Sequence, residues 1–310
     1  MKKRTKFNLT IIIPYYYQLE IIHETLAVIS SQAKSNKRII ELLIIDSKTN
    51  SEKIKINEFN KNNKFINIKI FHTENCVSTK RNKGIRLANS EFIIFLDDDV
   101  IPGRGFLEYF LKNQENNLMT SCFVEFEEPR NSYLYYRKRK EKSVIKKILS
   151  TKEVNPIYCT TMAFGVRRKI LIENELYFDE NFKGYGWEDI DYFIQAQKKG
   201  IKLNFAKIFI THRELKNHKQ YFKKQMLMGS WYKYFLIKNP IYAKKIKIHS
   251  LYKLISIFRI LRPLIDLILN FVEILLKKNL PFNFFTYSIY EFYFKYANLK
   301  GMLGEPLKYE

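Results

Sequence analysis

Cysteine is scarce in this 310-residue chain, with Cys76, Cys122 and Cys159 the whole complement. Their number is odd and no two stand at metal-ligand spacing. That excludes a disulfide framework and a cysteine zinc site, and it points to a reducing compartment. There is no internal repeat and no low-complexity tract. No secretory signal is expected: Met1-Lys2-Lys3-Arg4 is basic, but the apolar run Leu9 to Ile13 stops at Pro14 and is too short for a signal core. Acidic residues are also in short supply, 31 Asp+Glu against 54 Lys+Arg, for a net charge of +23. Residues 201–310 carry 20 Lys+Arg against 6 Asp+Glu, a net +14, so the last third is the most basic per residue. The candidate partners for such a charge are anionic lipid, nucleic acid or a phosphorylated substrate. A general richness in Lys, Asn and Ile contributes to the count.

What is present is a βαβ rhythm. Thr10-Ile11-Ile12-Ile13-Pro14 reads as a buried first strand, and residues 18–35 as a helix. Glu41 to Asp46 is a second strand ending in an acid, residues 51–62 a polar helix, and Phe65 to Phe71 a third strand. Residues 77–89 predict a helix with Val77, Ile85 and Ala88 on one side and Lys80, Arg81 and Lys83 on another. Glu91 to Leu96 is the fourth strand. Such alternation implies right-handed crossovers and a mostly parallel sheet. By composition, residues 128–155, with Tyr133, Tyr135, Tyr136 and the Lys/Arg cluster 137–147, are an insertion or a lid. Ile157 to Val166 returns to strand, residues 187–199 suit a helix, and Leu203 to Ile210 gives one or two short strands ending at Thr211-His212.

The fourth strand ends in Asp97-Asp98-Asp99. Three adjacent carboxylates repel one another, and a cation between them removes that cost. In an open α/β sheet, ligands bind beyond the carboxyl ends of the strands, so such a cation can in turn hold a phosphorylated ligand. Alone, the triplet also reads as an acidic turn or a helix N-cap. Three other segments belong with it at the same kind of position: Asp46, the helix opening Lys80-Arg81-Asn82-Lys83-Gly84, and Gly184-Tyr185-Gly186-Trp187-Glu188-Asp189-Ile190-Asp191.

In that order and spacing, the segments from Thr10 to about His212 resemble a family 2 glycosyltransferase of the GT-A fold. TIIIPYYY is similar to the opening strand and nucleotide loop, LLIIDSKTN to the second strand, and STKRNKGIRLANSEFIIFLDDDVIP to the third helix and the DxD segment. TTMAFGVRRKIL and FDENFKGYGWEDIDYFIQAQKKGIKL are similar to acceptor-side segments, the last also to galactosyl- and N-acetylgalactosaminyltransferases. Two loops depart from the family pattern: Pro14-Tyr15-Tyr16-Tyr17 stands where Pro-Thr-Tyr-Asn is usual, and Asp46-Ser47-Lys48-Thr49 where Asp-Asp-Gly-Ser is frequent.

The resemblance implies an α/β fold, a GT-A Rossmann-like sheet flanked by helices. It implies a metal-dependent, inverting transferase that moves a sugar from a nucleotide-diphosphate donor, a UDP-sugar first, to a glycan or lipid-linked hydroxyl, as in polysaccharide biosynthesis. Asp97, Asp99 and His212 would hold Mn²⁺ or Mg²⁺, with Asp97 reaching the ribose or a metal-bound water. Pro14, Tyr15, Tyr17, Asp46, Arg81, Lys83, Asp97 and Asp98 would line the donor site, Arg81 and Lys83 offsetting diphosphate charge. Asp189 would act as base and Glu188 would hold the acceptor, with Tyr185 and Trp187 either stacking on a sugar or belonging to the core. The other readings are an inactive scaffold of this fold and a basic nucleic-acid-binding protein. The latter leaves the acidic cluster without a role.

Residues 1–215 are expected to form the catalytic domain and 216–310 a helical region. Within the latter, residues 251–277 predict an amphipathic helix with a wide apolar face and a kink at Pro263. Its charges argue against a membrane span, so it either lies on an anionic membrane surface, packs on its own domain, or pairs in a homo-oligomer. The resulting localisation is cytoplasmic, at the inner face of the cell membrane.

Overall fold

Leu9–Pro14 (β1), Ile40–Asp46 (β2) and Phe92–Leu96 (β4) are buried at every position. Strands covered on both faces need apolar residues on both, which is why they read as unbroken runs of Ile, Leu and Phe. The computed structural model describes residues 7–16, 18–47, 63–213, 217–277 and 281–304. The helix expected at 51–62 and Tyr17 lie outside the described residues.

The chain divides into two compact units. The first comprises Met1–Glu125, Lys147–Glu180 and Tyr192–Arg213, and the second Phe126–Lys146, Asn181–Asp191 and Glu214–Glu310. We call them the sheet unit and the helical unit.

The sheet contains β1, β2, Ile66–His72 (β3), β4, Val100–Pro102 (β5), Leu118–Phe126 (β6), Ala163–Arg167 (β7) and Lys202–His212 (β8), in the order β3-β2-β1-β4-β7-β6-β8-β5. The long ladders β3-β2-β1-β4 are parallel, while β4–β7, β7–β6 and β8–β5 are antiparallel. This is the α/β, Rossmann-like architecture that the strand–helix alternation implied.

Because side chains alternate along a strand, each strand feeds two cores. Ile11, Ile13, Leu42, Ile44, Ile94 and Leu96 meet Ile22 and Leu26 of helix α1 (Leu19–Ser35). Ile12, Leu43, Ile45, Ile93 and Phe95 meet Ile85 of helix α2 (Val77–Leu87) on the other face. Glu41 is an exception inside β2. It is fully buried, and it accepts from Thr10 Oγ1 at 2.8 Å, Asn89 N at 2.9 Å, Asn89 Nδ2 at 2.6 Å and Lys69 Nζ at 2.9 Å.

Helix α3 (Phe106–Lys112) follows β5, and helix α5 (Arg168–Glu173) follows β7. Between them the stretch expected to be an insertion or a lid, residues 128–155, forms helix α4 (Ser132–Leu149). Lys, Arg and Glu are good helix formers, and Tyr133 and Tyr136, one turn apart, give the helix an apolar anchor. Helix α6 spans Glu188–Lys198.

The helical unit also contains α7 (His218–Ser230), α8 (Tyr232–Lys238), α9 (Pro240–Lys245), α10 (Ile248–Lys253), α11 (Ile255–Lys277) and α12 (Phe284–Leu303). Its core is aromatic: Tyr133, Tyr136, Tyr290, Tyr293, Phe294 and Tyr296 surround Phe258, Leu269, Val272 and Leu276 of α11. The amphipathic helix expected at 251–277 is interrupted at Leu254 and runs through Pro263. Among the described residues, no helix is long and apolar enough to cross a membrane. A second apolar stripe of α11, from Ile257 to Ile274, is exposed. Burying a side chain of this size contributes roughly 1.5–3 kcal/mol, so the bare stripe is costly.

Candidate functional site

The carboxyl ends of β1, β2 and β4 bring together residues that are distant in sequence. At the end of β1, Tyr15 N donates to Ile45 O at 2.9 Å, which continues the parallel pairing past Pro14. The next amide, Tyr16 N, donates to Asp98 Oδ2 at 2.5 Å. Asp98 is buried, and burial together with the Asp99 charge pushes its carboxyl far above the usual carboxylate range. Asp46 is fully buried at the end of β2, and its Oδ1 accepts from Ser47 N at 2.6 Å.

Helix α2 closes this rim from one side. A Cβ on Gly84 would meet Ile12 Cγ2 at 2.3 Å, so only glycine lets the helix lie this close to β1. One turn earlier on the same face is Lys80, fully buried, its Nζ 2.7 Å from Tyr15 O and 3.4 Å from the Tyr16 ring centroid. Burial pushes the ammonium down to about 8, opposed by the nearby Asp46 and Asp98 carboxylates. The sequence sets Lys80 on a different side of the helix from Val77, Ile85 and Ala88, and the glycine-mediated approach buries that side too. The cue in the sequence is its position four residues before Gly84.

Arg81 is also buried, and its Nη2 donates to Asp97 Oδ1 at 2.9 Å. Lys83 takes a different direction, its Nζ donating to His72 O at the end of β3, 2.5 Å away. Asn82 clamps the chain after α5: it donates to Phe178 O at 2.9 Å and Glu180 Oε1 at 2.8 Å, and accepts from Phe178 N at 2.9 Å.

His212 reaches the aspartates through sheet pairing. The antiparallel β5–β8 register sets His212 opposite Val100, the residue after Asp99. Arg213 N donates to Asp99 O at 2.9 Å, and His212 Nε2 lies 3.2 Å from Asp99 Oδ2. His212 is buried, while Asp99 and Asp97 are each about a quarter exposed. Among the described residues no set of three or more His, Cys, Asp or Glu side chains is arranged to hold a metal. The Asp99 carboxylate and the His212 imidazole, with the Asp97 carboxylate held by Arg81 nearby, are the side chains that could hold a divalent ion here.

The second group of candidate residues belongs to the helical unit. Gly186 and Trp187 both have positive φ, 89° and 75°, which turns the chain sharply into α6. Trp187 is core: its Nε1 donates to Met228 O at 2.6 Å and its ring stacks on Phe235 at 4.8 Å. Tyr185 is partly exposed, with Lys224 Nζ 4.7 Å from its ring centroid. Glu188 is buried, and Asp189 is half-buried with Oδ1 accepting from Ile190 N at 2.8 Å, as acids in a first helical turn do. Asp191 anchors this turn. It is buried and accepts from Lys238 Nζ at 2.8 Å and Asn239 Nδ2 at 2.7 Å. That contact joins segments 47 and 48 residues apart and has no local signature in the sequence. His218 opens α7 in the helical unit, so it is distinct from the rim histidine.

The architecture is shared with known proteins. The mannosyltransferase PcManGT from Pyrobaculum calidifontis, determined in complex with GDP-Man and Mn²⁺, matches with TM-score 0.59 and 15% identity, over 97% of this chain and 88% of that one. S. aureus TarS 1-349 in complex with UDP-GlcNAc matches with TM-score 0.48 and 16% identity, over 71% of this chain and 65% of that one. A longer TarS chain matches with TM-score 0.48 and 16% identity, over 72% of this chain but 39% of that one. This chain thus spans less than two-thirds of the TarS chains, and at such identities the likeness concerns the fold alone. No curated protein matches by sequence. The family model described as Glycosyl transferase family 2 matches residues 10–174, more than half of the chain. On that match, this chain belongs to glycosyl transferase family 2.

Proposed function

We propose that this protein transfers a sugar from a nucleotide-diphosphate donor, a UDP-sugar, to a hydroxyl of a glycan or lipid-linked acceptor, with inversion at the anomeric carbon and with dependence on Mn²⁺ or Mg²⁺. The observation that carries the reading is the rim itself. A buried cation, Arg81, and a carboxylate–imidazole pair, Asp99 and His212, are gathered at the ends of parallel strands, where α/β sheets bind nucleotides. PcManGT, which shares the fold, is known with a nucleotide-sugar and Mn²⁺.

In this reading Asp46 and the Tyr15–Tyr16 backbone receive the nucleoside, and Lys80 holds that loop in place through Tyr15 O. Pro14 and Asp98 belong to the same nucleotide-binding edge, and Tyr17 is a further candidate donor contact. Asp99 and His212 would hold the metal, with Asp97 beside them. The bound ion would stabilise charge on the departing diphosphate. Arg81 and Lys83, in the middle of α2, add positive charge. Asp189 takes the proton of the acceptor hydroxyl as that oxygen forms its bond to the anomeric carbon, and the nucleoside diphosphate leaves with the electrons of the broken sugar–phosphate bond. Glu188 holds the acceptor. The protein works at the inner face of the cell membrane, attached without crossing it.

The test is turnover of the full chain on a panel of nucleotide-sugars with Mn²⁺, alongside Asp99→Asn. One donor is expected to raise the melting temperature and turn over, and the variant is expected to lose on the order of 100-fold in kcat without losing its fold. If no donor stabilises the chain or turns over, or if the variant matches the parent, the reading is wrong.

A further inference from the structure

We propose that the outward stripe of α11, with Phe284 and Phe285 at the start of α12, is a docking surface for an anionic lipid bilayer, with α11 lying in the plane of the membrane surface. This deepens the attachment part of the function above and rests on that part alone.

The stripe recurs every three or four residues through Ile257, Ile260, Leu264, Leu267, Phe271 and Ile274, one face of a helix. These side chains stand out into solvent, Ile260 at 79% and Leu267 at 68% exposure. A different stripe of the same helix, Phe258, Leu269, Val272 and Leu276, is buried in the aromatic core. The exposed residues are therefore surplus to what folding the helical unit requires. Phe284 and Phe285, shortly after α11 in the chain, are 78% and 65% exposed.

Charge selects the occupant. The two acids of α11 are both engaged within the helical unit. Asp266 accepts from Tyr296 Oη and lies 3.4 Å from Lys300 Nζ and 3.5 Å from Arg262 Nε. Glu273 accepts from Tyr293 Oη at 2.8 Å and lies 3.4 Å from Lys219 Nζ. Leading into the helix, Lys244, Lys245, Lys247 and Lys253 are all exposed. A second copy of this chain would bring lysine-rich surface against lysine-rich surface, whereas anionic headgroups answer that charge while acyl chains cover the stripe. The charged and prolyl residues along α11 leave no span able to cross the bilayer, which makes the in-plane orientation the one that remains.

Deleting residues 245–310 would also remove the core aromatics of α12, so point substitutions are the cleaner test. The full chain is floated with phosphatidylcholine vesicles, with and without phosphatidylglycerol. It is compared with Ile260→Glu/Leu267→Glu and with Lys244→Gln/Lys245→Gln/Lys247→Gln, all three proteins checked by thermal melting and by light scattering after gel filtration. The parent is expected to float with anionic vesicles only, the Glu variant to lose about tenfold or more in the bound fraction, and the Gln variant to bind less and with weaker salt dependence. If the Glu variant melts normally and floats like the parent, this surface is not the anchor although attachment stands. If the parent does not float, both the surface and the attachment are wrong, whatever the donor panel shows. A dimer that the Glu variant dissociates assigns the stripe to a second copy and overturns the proposal.

Discussion

Glu41 shows how much one buried side chain can join. Four donors from β1, β3 and the turn after α2 converge on its carboxylate. Burial alone would raise its pKa, but the hydrogen bonds from Asn89, Lys69 and Thr10 outweigh it and hold the carboxyl below the ordinary glutamate value. A depressed folded-state value means that the ionised form stabilises the fold above the unfolded value and that this contribution fades as pH falls through the folded one. Glu41→Gln is expected to cost about 1–3 kcal/mol at neutral pH. The gap between parent and variant should narrow on acidification below the ordinary glutamate range, as read from urea unfolding at a series of pH values. A gap that is constant with pH would rule out the ionised carboxylate as the stabilising form. The same residue explains a limit of pattern reading. Glu41 heads an apolar strand and looks like its exposed first residue, and nothing local announces four donors on three residues from three other segments.

At the scale of an element, helix α2 is the one whose sequence and role diverge most. It is polar in composition, yet Ser78, Lys80, Arg81, Asn82 and Gly84 are buried alongside Ile85. Its packing depends on the bare Cα of Gly84, because a Cβ there would lie 2.3 Å from Ile12 Cγ2 of β1. Gly84→Ala is expected to force the helix outward, with a cost of roughly 1–3 kcal/mol from overpacking. Because Lys80 and Arg81 ride on the same helix, donor affinity should fall with it. Paired urea-unfolding and donor-binding titrations check this, and an alanine variant with the parent's midpoint and affinity would contradict it. Elsewhere the element pattern was readable. Unbroken apolar runs located β1, β2 and β4, alternation located β3, and helical spacing located α1, α2 and α6, each within a few residues. Among the elements not located, β5, β6, α3, α5 and the helical state of α4 are short or are held by distant partners. The strand β6 pairs with β7, and α4 is anchored by Tyr133 and Tyr136 against α12.

At the scale of the whole molecule, the two units have separate cores, aliphatic side chains mixed with aromatic ones on the faces of the sheet and a mostly aromatic cluster in the helical unit. Phe294 lies at the centre of the second, 4.7 Å from Tyr221 and 5.3 Å from Tyr136 by ring centroid. Phe294→Ala is expected to remove about 3–5 kcal/mol from that core. In hydrogen exchange the amides of α7, α11 and α12 should then lose protection while β1, β2 and β4 keep theirs. An equal loss in both sets would mean a single cooperative block.

By itself the sequence determined the parallel strands, the acids that end them, and the presence of a helix too apolar on one side for its charges. These are local properties, written in runs and periods that each segment carries alone. The register of β5 on β8 that brings His212 to Asp99, the inward turn of Lys80, the anchoring of Asp191 by Lys238 and Asn239, and the division of α11 into a covered and an uncovered stripe were decided only by tertiary structure. Each depends on which distant segments meet, and that is set by the summed packing of many side chains rather than by any one stretch of chain.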